Sequence, residues 1–424
     1  MSSTPIPAPI LTFEQARHVV EQHAAGLHPS GKEFVELLEA ATRVLAEPVV
    51  ADRNFPPFAR ATRDGYAVRA SDLGRLPARL NVVGEIKAGT ASSPSLCLQP
   101  GQAAAIMTGA PAPPGADAVV MVEYTSETSG MVEIGKGVSP GENIVPAGAE
   151  AQRGSQLLAA GIRLDHAAIA VAASAGKTHL QVYAKPRVAV LATGHELVEL
   201  DVPPGPAQIR NSNSYSLAAQ VQDAGGEPVL LPIAPDEPNR LRDLIVEGLE
   251  ADLLLLSGGV SMGRHDLVEQ ALAEVGAEFF FTGALIQPGR PIVFGRVPGA
   301  KDGGGRSVAI PERTYFFGLP GNPVSTMVTF ELFVRPVLDA LCGMTPRKLV
   351  FLYAKLKTEV KTKTGLKRFL PAMLSGEFEQ TEVELVPWQG SGDIAATARA
   401  NCYIVIPADR ELLAAGEWVA VLMR

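Results

Sequence analysis

Residues Leu253 to Gly263 read LLLLSGGVSMG, and this stretch limits the fold more than any other. Four consecutive leucines are too few to span a membrane and fit a strand buried on both faces. The strand runs directly into Ser257-Gly258-Gly259, where missing side chains let a ligand approach the backbone. A helical pattern, Asp266 to Leu272, follows at once. Strand, glycine loop and helix form the unit that places ligands at the carboxyl edge of an open parallel sheet. The loop's backbone amides, with the hydroxyls of Ser257 and Ser261, suit an anionic group such as a phosphate.

Two neighbouring patterns point elsewhere and fail. Gly259-Val260-Ser261-Met262-Gly263 matches the G-x-S-x-G turn of serine hydrolases, which needs an acid and then a histidine later in the chain. The only histidine beyond Ser261 is His265, with no acid between them. Gly176-Lys177-Thr178 resembles the end of a phosphate-binding P-loop, but the position of its first glycine holds Val171. Asp165 to Ala175 reads as an Ala-rich helix, so Gly176 is better explained as its C-terminal cap.

The chain has 424 residues, enough for two to four domains. It is 46% hydrophobic and 19% charged, a globular composition. A formal charge of −8 argues against a sequence-independent nucleic-acid binder but allows an anionic small molecule. Cys97, Cys342 and Cys402 lie far apart and form no zinc or iron–sulfur pattern. No signal peptide is visible, and no stretch approaches the roughly 20 apolar residues of a membrane helix. A soluble, cytoplasmic protein is expected.

Residues 1–10 read as a loose tail. Thr12-Phe13-Glu14-Gln15 is a capping box opening a helix through Val20, and a second helix is expected over about Lys32 to Ala46. From Ala51 to Ala149 short apolar runs alternate with Pro-Gly turns, the texture of a β-rich domain. Helix returns in 150–182. Strands and helices then alternate from Lys185 to Cys342, which indicates a doubly wound, mostly parallel sheet. Val297 to Ser307 encloses a glycine-rich surface loop. After Gly343 helices are expected to stop, with strands at Val350–Glu359, Val383–Val386, Asn401–Ile406 and Trp418–Leu422 forming a small barrel or sandwich. The basic run Lys355 to Lys367 is expected to face solvent.

The predicted chain is therefore multidomain α/β plus β, in four parts. Residues 11–50 and 150–182 make a helical linker domain, 51–149 an inserted β-rich domain, 183–342 the α/β domain and 343–424 a C-terminal small β-barrel.

Several loops carry further signals. They are Asp64-Gly65-Tyr66-Ala67-Val68, Ile106-Met107-Thr108-Gly109-Ala110-Pro111, Thr193-Gly194-His195-Glu196-Leu197, Gly318 to Ser325 (GLPGNPVS) and Gln389-Gly390-Ser391-Gly392. In GLPGNPVS, Asn322 suits a helix N-cap and Pro323 the first helical position. Each motif alone is weak. In this order, together with SGGVSMG, they resemble the molybdopterin molybdenumtransferase family, which takes in bacterial MoeA and the related domain of eukaryotic gephyrin. The resemblance runs from about residue 12 to the C-terminus.

That resemblance implies insertion of molybdate into adenylylated molybdopterin, with Mg2+-dependent cleavage of the adenylate to release AMP and molybdenum cofactor. It implies a molybdopterin-binding α/β domain and a homodimer whose cleft joins the α/β domain of one subunit to the β-rich domain of the other. Transient contacts with a molybdopterin adenylyltransferase and with acceptor molybdoenzymes are implied too; nucleic acid and membrane are not. Cleaving such a bond calls for a hard cation held by carboxylates and phosphate oxygens. The resemblance assigns Asp266 and Glu196 to that cation, with Asp236 a third acid at the same edge. Asp64, Thr108 and Glu150 would act from the β-rich domain. Thr193, Gly194, Ser257, Gly258, Gly259 and Ser261 would hold the pterin or its phosphate, over a floor of Pro320, Gly321 and Asn322. Arg290, Arg368 and Ser391 would handle molybdate.

The chain departs from the family pattern in places. Glu150 stands where an aspartate is usual, and His195 where the motif often has aspartate. Gln287 replaces one of two lysines, while Arg290 keeps the charge of the other and can bind oxyanions bidentately. Arg63 replaces a methionine common in bacterial relatives. Gln287 and Glu150 motivate an alternative reading, a non-catalytic molybdopterin carrier or scaffold. Asp64, Glu196, Asp236 and Asp266 could equally serve as turn or helix caps.

Overall fold

The computed structural model describes residues 8–89, 96–259, 267–298 and 313–424. Residue contacts divide the chain into two units. One comprises Met1–Val35, Thr42–Ala46 and Gln181–Arg424; the other comprises Glu36–Ala41 and Glu47–Leu180.

The first unit opens with a short strand. Ile10–Leu11 pairs in parallel with Gly283–Ala284, so the tail read as loose is tied down by its end. The helix Phe13–Ala24 carries the expected capping box: Gln15 N donates to Thr12 Oγ1, and Thr12 N donates to the Gln15 side chain. Its apolar face buries Phe13 against Phe333 and Phe369. The helix expected over Lys32 to Ala46 is absent. Lys32–Glu36 is a strand, followed by turns that bring Leu45 into an antiparallel bridge with Val182. Phe34 and Leu38 are both exposed, so no core anchors a helix there.

The α/β part of this unit is a six-stranded sheet. Its order is Glu227–Leu230, Arg187–Ala192, Leu253–Ser257, Arg313–Leu319, Val293–Pro298, Glu278–Phe281. The first three pairings are parallel and the last two antiparallel, so Val293–Pro298 alone runs against the other five strands. Leu253 to Leu256 are fully buried, as a strand covered on both faces requires. One face packs on the helices Ser212–Ala224 and Pro323–Leu341, the other on Pro238–Gly248 and Leu267–Glu274. The long last helix is interrupted by a π turn at Phe330–Val334. Arg17 donates to the carbonyl of Leu332 and Gln220 to that of Met327, satisfying backbone around the turn. The chain visits the second strand of this order, crosses to the first, and returns to the third. Strands Arg187–Ala192 and Leu253–Ser257 therefore flank the switch point, where open α/β sheets bind ligands.

The C-terminal part is a closed five-stranded barrel. Lys367–Ser375 pairs with Glu382–Leu385, and the ring continues through Phe351–Leu356, Trp418–Met423 and Cys402–Ile406 back to the start. The strand Lys367–Ser375 is absent from the sequence reading because it begins with two basic residues and contains Pro371. Helix does not stop after Gly343: Asp393 caps a short helix, Ile394–Arg399. The basic run is largely on the surface, with Lys357 paired to Glu384 and Lys361 to Glu359.

The second unit holds a six-stranded sheet in the order Ala118–Met121, Gly65–Val68, Gln102–Ile106, Ala78–Ile86, Met131–Ile134, Thr125–Thr128. All its pairings are antiparallel except Ala78–Ile86 with Gln102–Ile106. The helix His166–Ser174 is capped by Asp165 and ends at Gly176 with φ +73°, as read from the sequence. Among the described residues no helix is long and apolar enough to cross a membrane. The glycine-rich stretch between Val297 and Ser307 lies almost wholly outside the described residues, as do Ser261, His265 and Asp266.

Candidate active site

A cavity of about 860 Å3 opens at the carboxyl ends of the switch-point strands. Parallel register puts Ala192 beside Ser257 and Ser257 beside Leu319, so three loops leave the sheet at one level. The first brings Thr193, Gly194 and Glu196; the second Ser257, Gly258 and Gly259; the third Pro320, Gly321 and Asn322. Asp236 reaches the same cavity from the loop after Glu227–Leu230. Ten of the residues singled out from the sequence thus line one space.

The glycine loop is shaped by close packing. Gly258 has φ +89°, and a Cβ there would lie 2.5 Å from the carbonyl oxygen of Thr193. Gly259 has φ +67°, and its Cβ would lie 2.7 Å from Thr193 Oγ1. No L side chain fits either position without displacing backbone or the hydroxyl. The anion cradle expected from the loop amides is only partly available. Gly258 N already donates to Leu319 O, because pairing between the strands Leu253–Ser257 and Arg313–Leu319 continues into the loops.

The acids sit at the rim. Glu196 and Asp236 are both exposed, and the Glu196 carboxylate lies against the backbone of Gly194. His195 Nε2 is 3.4 Å from Asp236 Oδ2, so this exposed histidine stands against one of the acids. Among the described residues no cluster of three or more His, Cys, Asp or Glu is arranged to hold a metal. Two carboxylates on one cavity are nonetheless the donor set Mg2+ uses when substrate phosphates and water complete its octahedron.

A residue absent from the sequence reading ties two of the loops. Asn213, in the first turn of Ser212–Ala224, donates through Nδ2 to Ser257 Oγ at 2.8 Å and to Gly321 O at 2.7 Å. Among the described residues its Oδ1 is buried without a partner, and so is Thr193 Oγ1. In sequence, Asn211-Ser212-Asn213-Ser214 looks like an ordinary helix start. Asn211 indeed caps that helix through Ser214 N.

The barrel also touches the rim. Asn322 Nδ2 donates to Ser391 Oγ at 2.9 Å, and Val324 N donates to Ser391 O at 3.0 Å. Asp393 braces this loop by accepting from Gln389 N and Ala396 N, bonds that hold its carboxyl below the usual range. Gly392 and Ile394 line the cavity. Arg368 is buried, and burial pushes its guanidinium below the ordinary value; it donates to Gln287 Oε1 at 2.8 Å and to Leu366 O. Neither Arg368 nor the exposed Arg290 is among the residues lining the cavity, although Pro291 is.

The remaining predicted residues belong to the second unit. Asp64 Oδ1 accepts from Thr108 N at 2.6 Å; this bond, with that of the Thr108 side chain, holds the Asp64 carboxyl below its ordinary value. Glu150 pairs with Arg60 at 2.8 Å. Asp64, Thr108 and Glu150 are all exposed.

Three family models match successive parts of the chain. The MoeA N-terminal region (domain I and II) covers residues 11–176, a probable molybdopterin binding domain 189–340, and the MoeA C-terminal region (domain IV) 353–423. A molybdopterin molybdenumtransferase from Nostoc sp. is 37% identical over 92% of this chain and 88% of its own. One from Haemophilus influenzae is 34% identical over 97% and 98%. The crystal structure of a molybdopterin biosynthesis moeA protein from Pyrococcus horikosii superposes with a TM-score of 0.72 at 32% identity, covering 98% of this chain and 99% of that one.

Proposed function

Because the chain belongs to the molybdopterin molybdenumtransferase family, enzymes of molybdenum cofactor biosynthesis, we propose that its switch-point cavity receives adenylylated molybdopterin and molybdate. The observation that carries the assignment is the convergence of the Ser257-Gly258-Gly259 and Pro320-Gly321-Asn322 loops with Glu196 and Asp236 on one space. Glycines open the wall to a planar or phosphorylated ligand, and the Asn213 bridge keeps the two loops in register. Thr193 and Gly194 would complete the seat for the pterin or its phosphate.

Glu196 and Asp236, with Asp266 by family resemblance, would hold Mg2+. When bound, that ion would offset charge on the phosphate oxygens as AMP departs. Molybdate is a tetrahedral oxyanion, suited to fixed guanidinium and hydroxyl donors. Arg290, Arg368 and Ser391 are the donors we assign to it. Gln287 accepts from Arg368 in this chain, so the residue that departs from the family pattern orients the guanidinium in place of adding a second charge. The four-part division given by the sequence, and a cytoplasmic location, belong to the same reading.

A homodimer is part of the proposal. Asp64, Thr108 and Glu150 of one copy would act on substrate held by the α/β part of the other. The exposed Phe34 and Leu38 are apolar surface that a second copy would cover. Co-expression of Asp64→Asn with Glu196→Gln tests this. In a random mixture half the dimers are mixed, and each mixed dimer keeps one of two sites intact, so activity should return to roughly a quarter of wild type. If the mixture stays as inactive as either variant alone, the shared cleft is wrong.

A further inference from the structure

We propose that Asn213 is a specificity-determining residue that accepts an N–H from a heterocycle of the substrate; the inference rests on the cavity being the substrate site. The orientation of its amide is fixed by its partners. Gly321 O can only accept, so the group 2.7 Å from it is the NH2, and Oδ1 points the other way. Among the described residues that oxygen is buried and unpaired, although Asn213 lines the cavity. A buried acceptor without a partner is rare and marks a place completed by something else.

The chemistry of the missing partner is narrow. Phosphate and molybdate oxygens are acceptors at neutral pH and would face Oδ1 unfavourably. The ribose hydroxyls can donate or accept and so do not discriminate; the groups that can only donate are the N–H groups of the pterin, chiefly its ring amide and 2-amino group, and the 6-amino group of the adenine. An acceptor beside Ser257 therefore sorts the ligand: oxyanions turn toward N–H and O–H donors, and the heterocycle turns toward Asn213. For Oδ1 to meet a ligand the amide must turn on its soft second torsion, which lengthens the two Nδ2 bonds. Thr193 Oγ1, also buried and unpaired among the described residues, can donate or accept and does not discriminate in the same way.

Two probe pairs separate the sources. One is a simple pterin against its 2-dimethylamino-3-methyl derivative; the other is AMP against its 6-dimethylamino derivative. Affinities are measured by calorimetry for wild type, Asn213→Leu and Asn213→Asp. Wild type should prefer the N–H member of one pair by roughly tenfold or more, and that pair names the heterocycle. Asn213→Leu should bring the preference to about one. Asn213→Asp keeps acceptor oxygens but loses the two Nδ2 bonds, so it should bind both members more weakly yet keep the preference. If Asn213 only fastens the loops, both variants will weaken both members alike and leave any preference unchanged, and the proposal is wrong. No preference in either pair for wild type would overturn it as well. Loss of molybdopterin binding by wild type would instead overturn the assignment of the cavity.

Discussion

Glu196→Gln is expected to lower AMP release from adenylylated molybdopterin by at least roughly a hundredfold, while the protein folds as before. The side chain is exposed at the rim of the cavity, so its replacement costs little stability. Gln matches Glu in size but has lost the charge that a hard cation requires. Changes even to groups behind a metal's direct ligands cost roughly 10- to 100-fold, so loss of a direct ligand should cost at least the upper value. Raising Mg2+ should recover part of the rate in Glu196→Gln if binding of the ion is what was weakened. A wild-type rate in this variant would remove Glu196 from the machinery. Asp236 offers a graded comparison, since it is shared with His195, and Asp236→Asn should cost less.

Gly258→Ala should both destabilise the α/β part and close the ligand seat. The added methyl would stand 2.5 Å from Thr193 O, in a backbone conformation, φ +89°, that L residues avoid. The conformational cost is about 1–2 kcal/mol and the overlap adds about 1–3 kcal/mol. Gly176→Ala separates the two contributions. Gly176 has φ +73°, but nothing lies within 4 Å of its Cβ position, so only the conformational cost should appear. Denaturant titration should therefore show a larger loss for Gly258→Ala than for Gly176→Ala, and only the former should lose molybdopterin binding. Equal losses would mean that the loop relaxes freely and that its close packing does not shape the site.

The parts of the fold that were legible in the sequence are those fixed by local chemistry. The Leu253–Ser257 strand followed from a continuous apolar run, the first helix from the Thr12–Gln15 capping box, and the end of His166–Ser174 from Gly176. What was missed depends on distant partners. Lys32–Glu36 was expected to open a helix but is a strand that leaves Phe34 exposed. Lys367–Ser375 becomes a strand despite Pro371 because neighbours on both sides close the barrel around Leu370 and Ala372, while Phe369 on the opposite face packs on Phe13.

The site divides in the same way. Glycines and the Asn322-Pro323 helix start announce themselves, since only a few residue types serve there. Asn213 does not: it stands one helical turn among polar neighbours, and its role exists only because parallel register sets Ser257 and Gly321 within reach of one amide. Asp64 and Glu150 were recognised by motif. Their observed bonds, to Thr108 N and to Arg60, are ones a structural residue would make too, so their catalytic part rests on the dimer experiment.

The most direct test of the whole account is AMP release by the purified wild-type protein from adenylylated molybdopterin in the presence of Mg2+, with and without molybdate. The account predicts release that depends on molybdate and yields molybdenum cofactor in equal amount. Tight binding of the adenylylated substrate with no release under either condition would contradict it and leave a carrier of molybdopterin in place of a transferase.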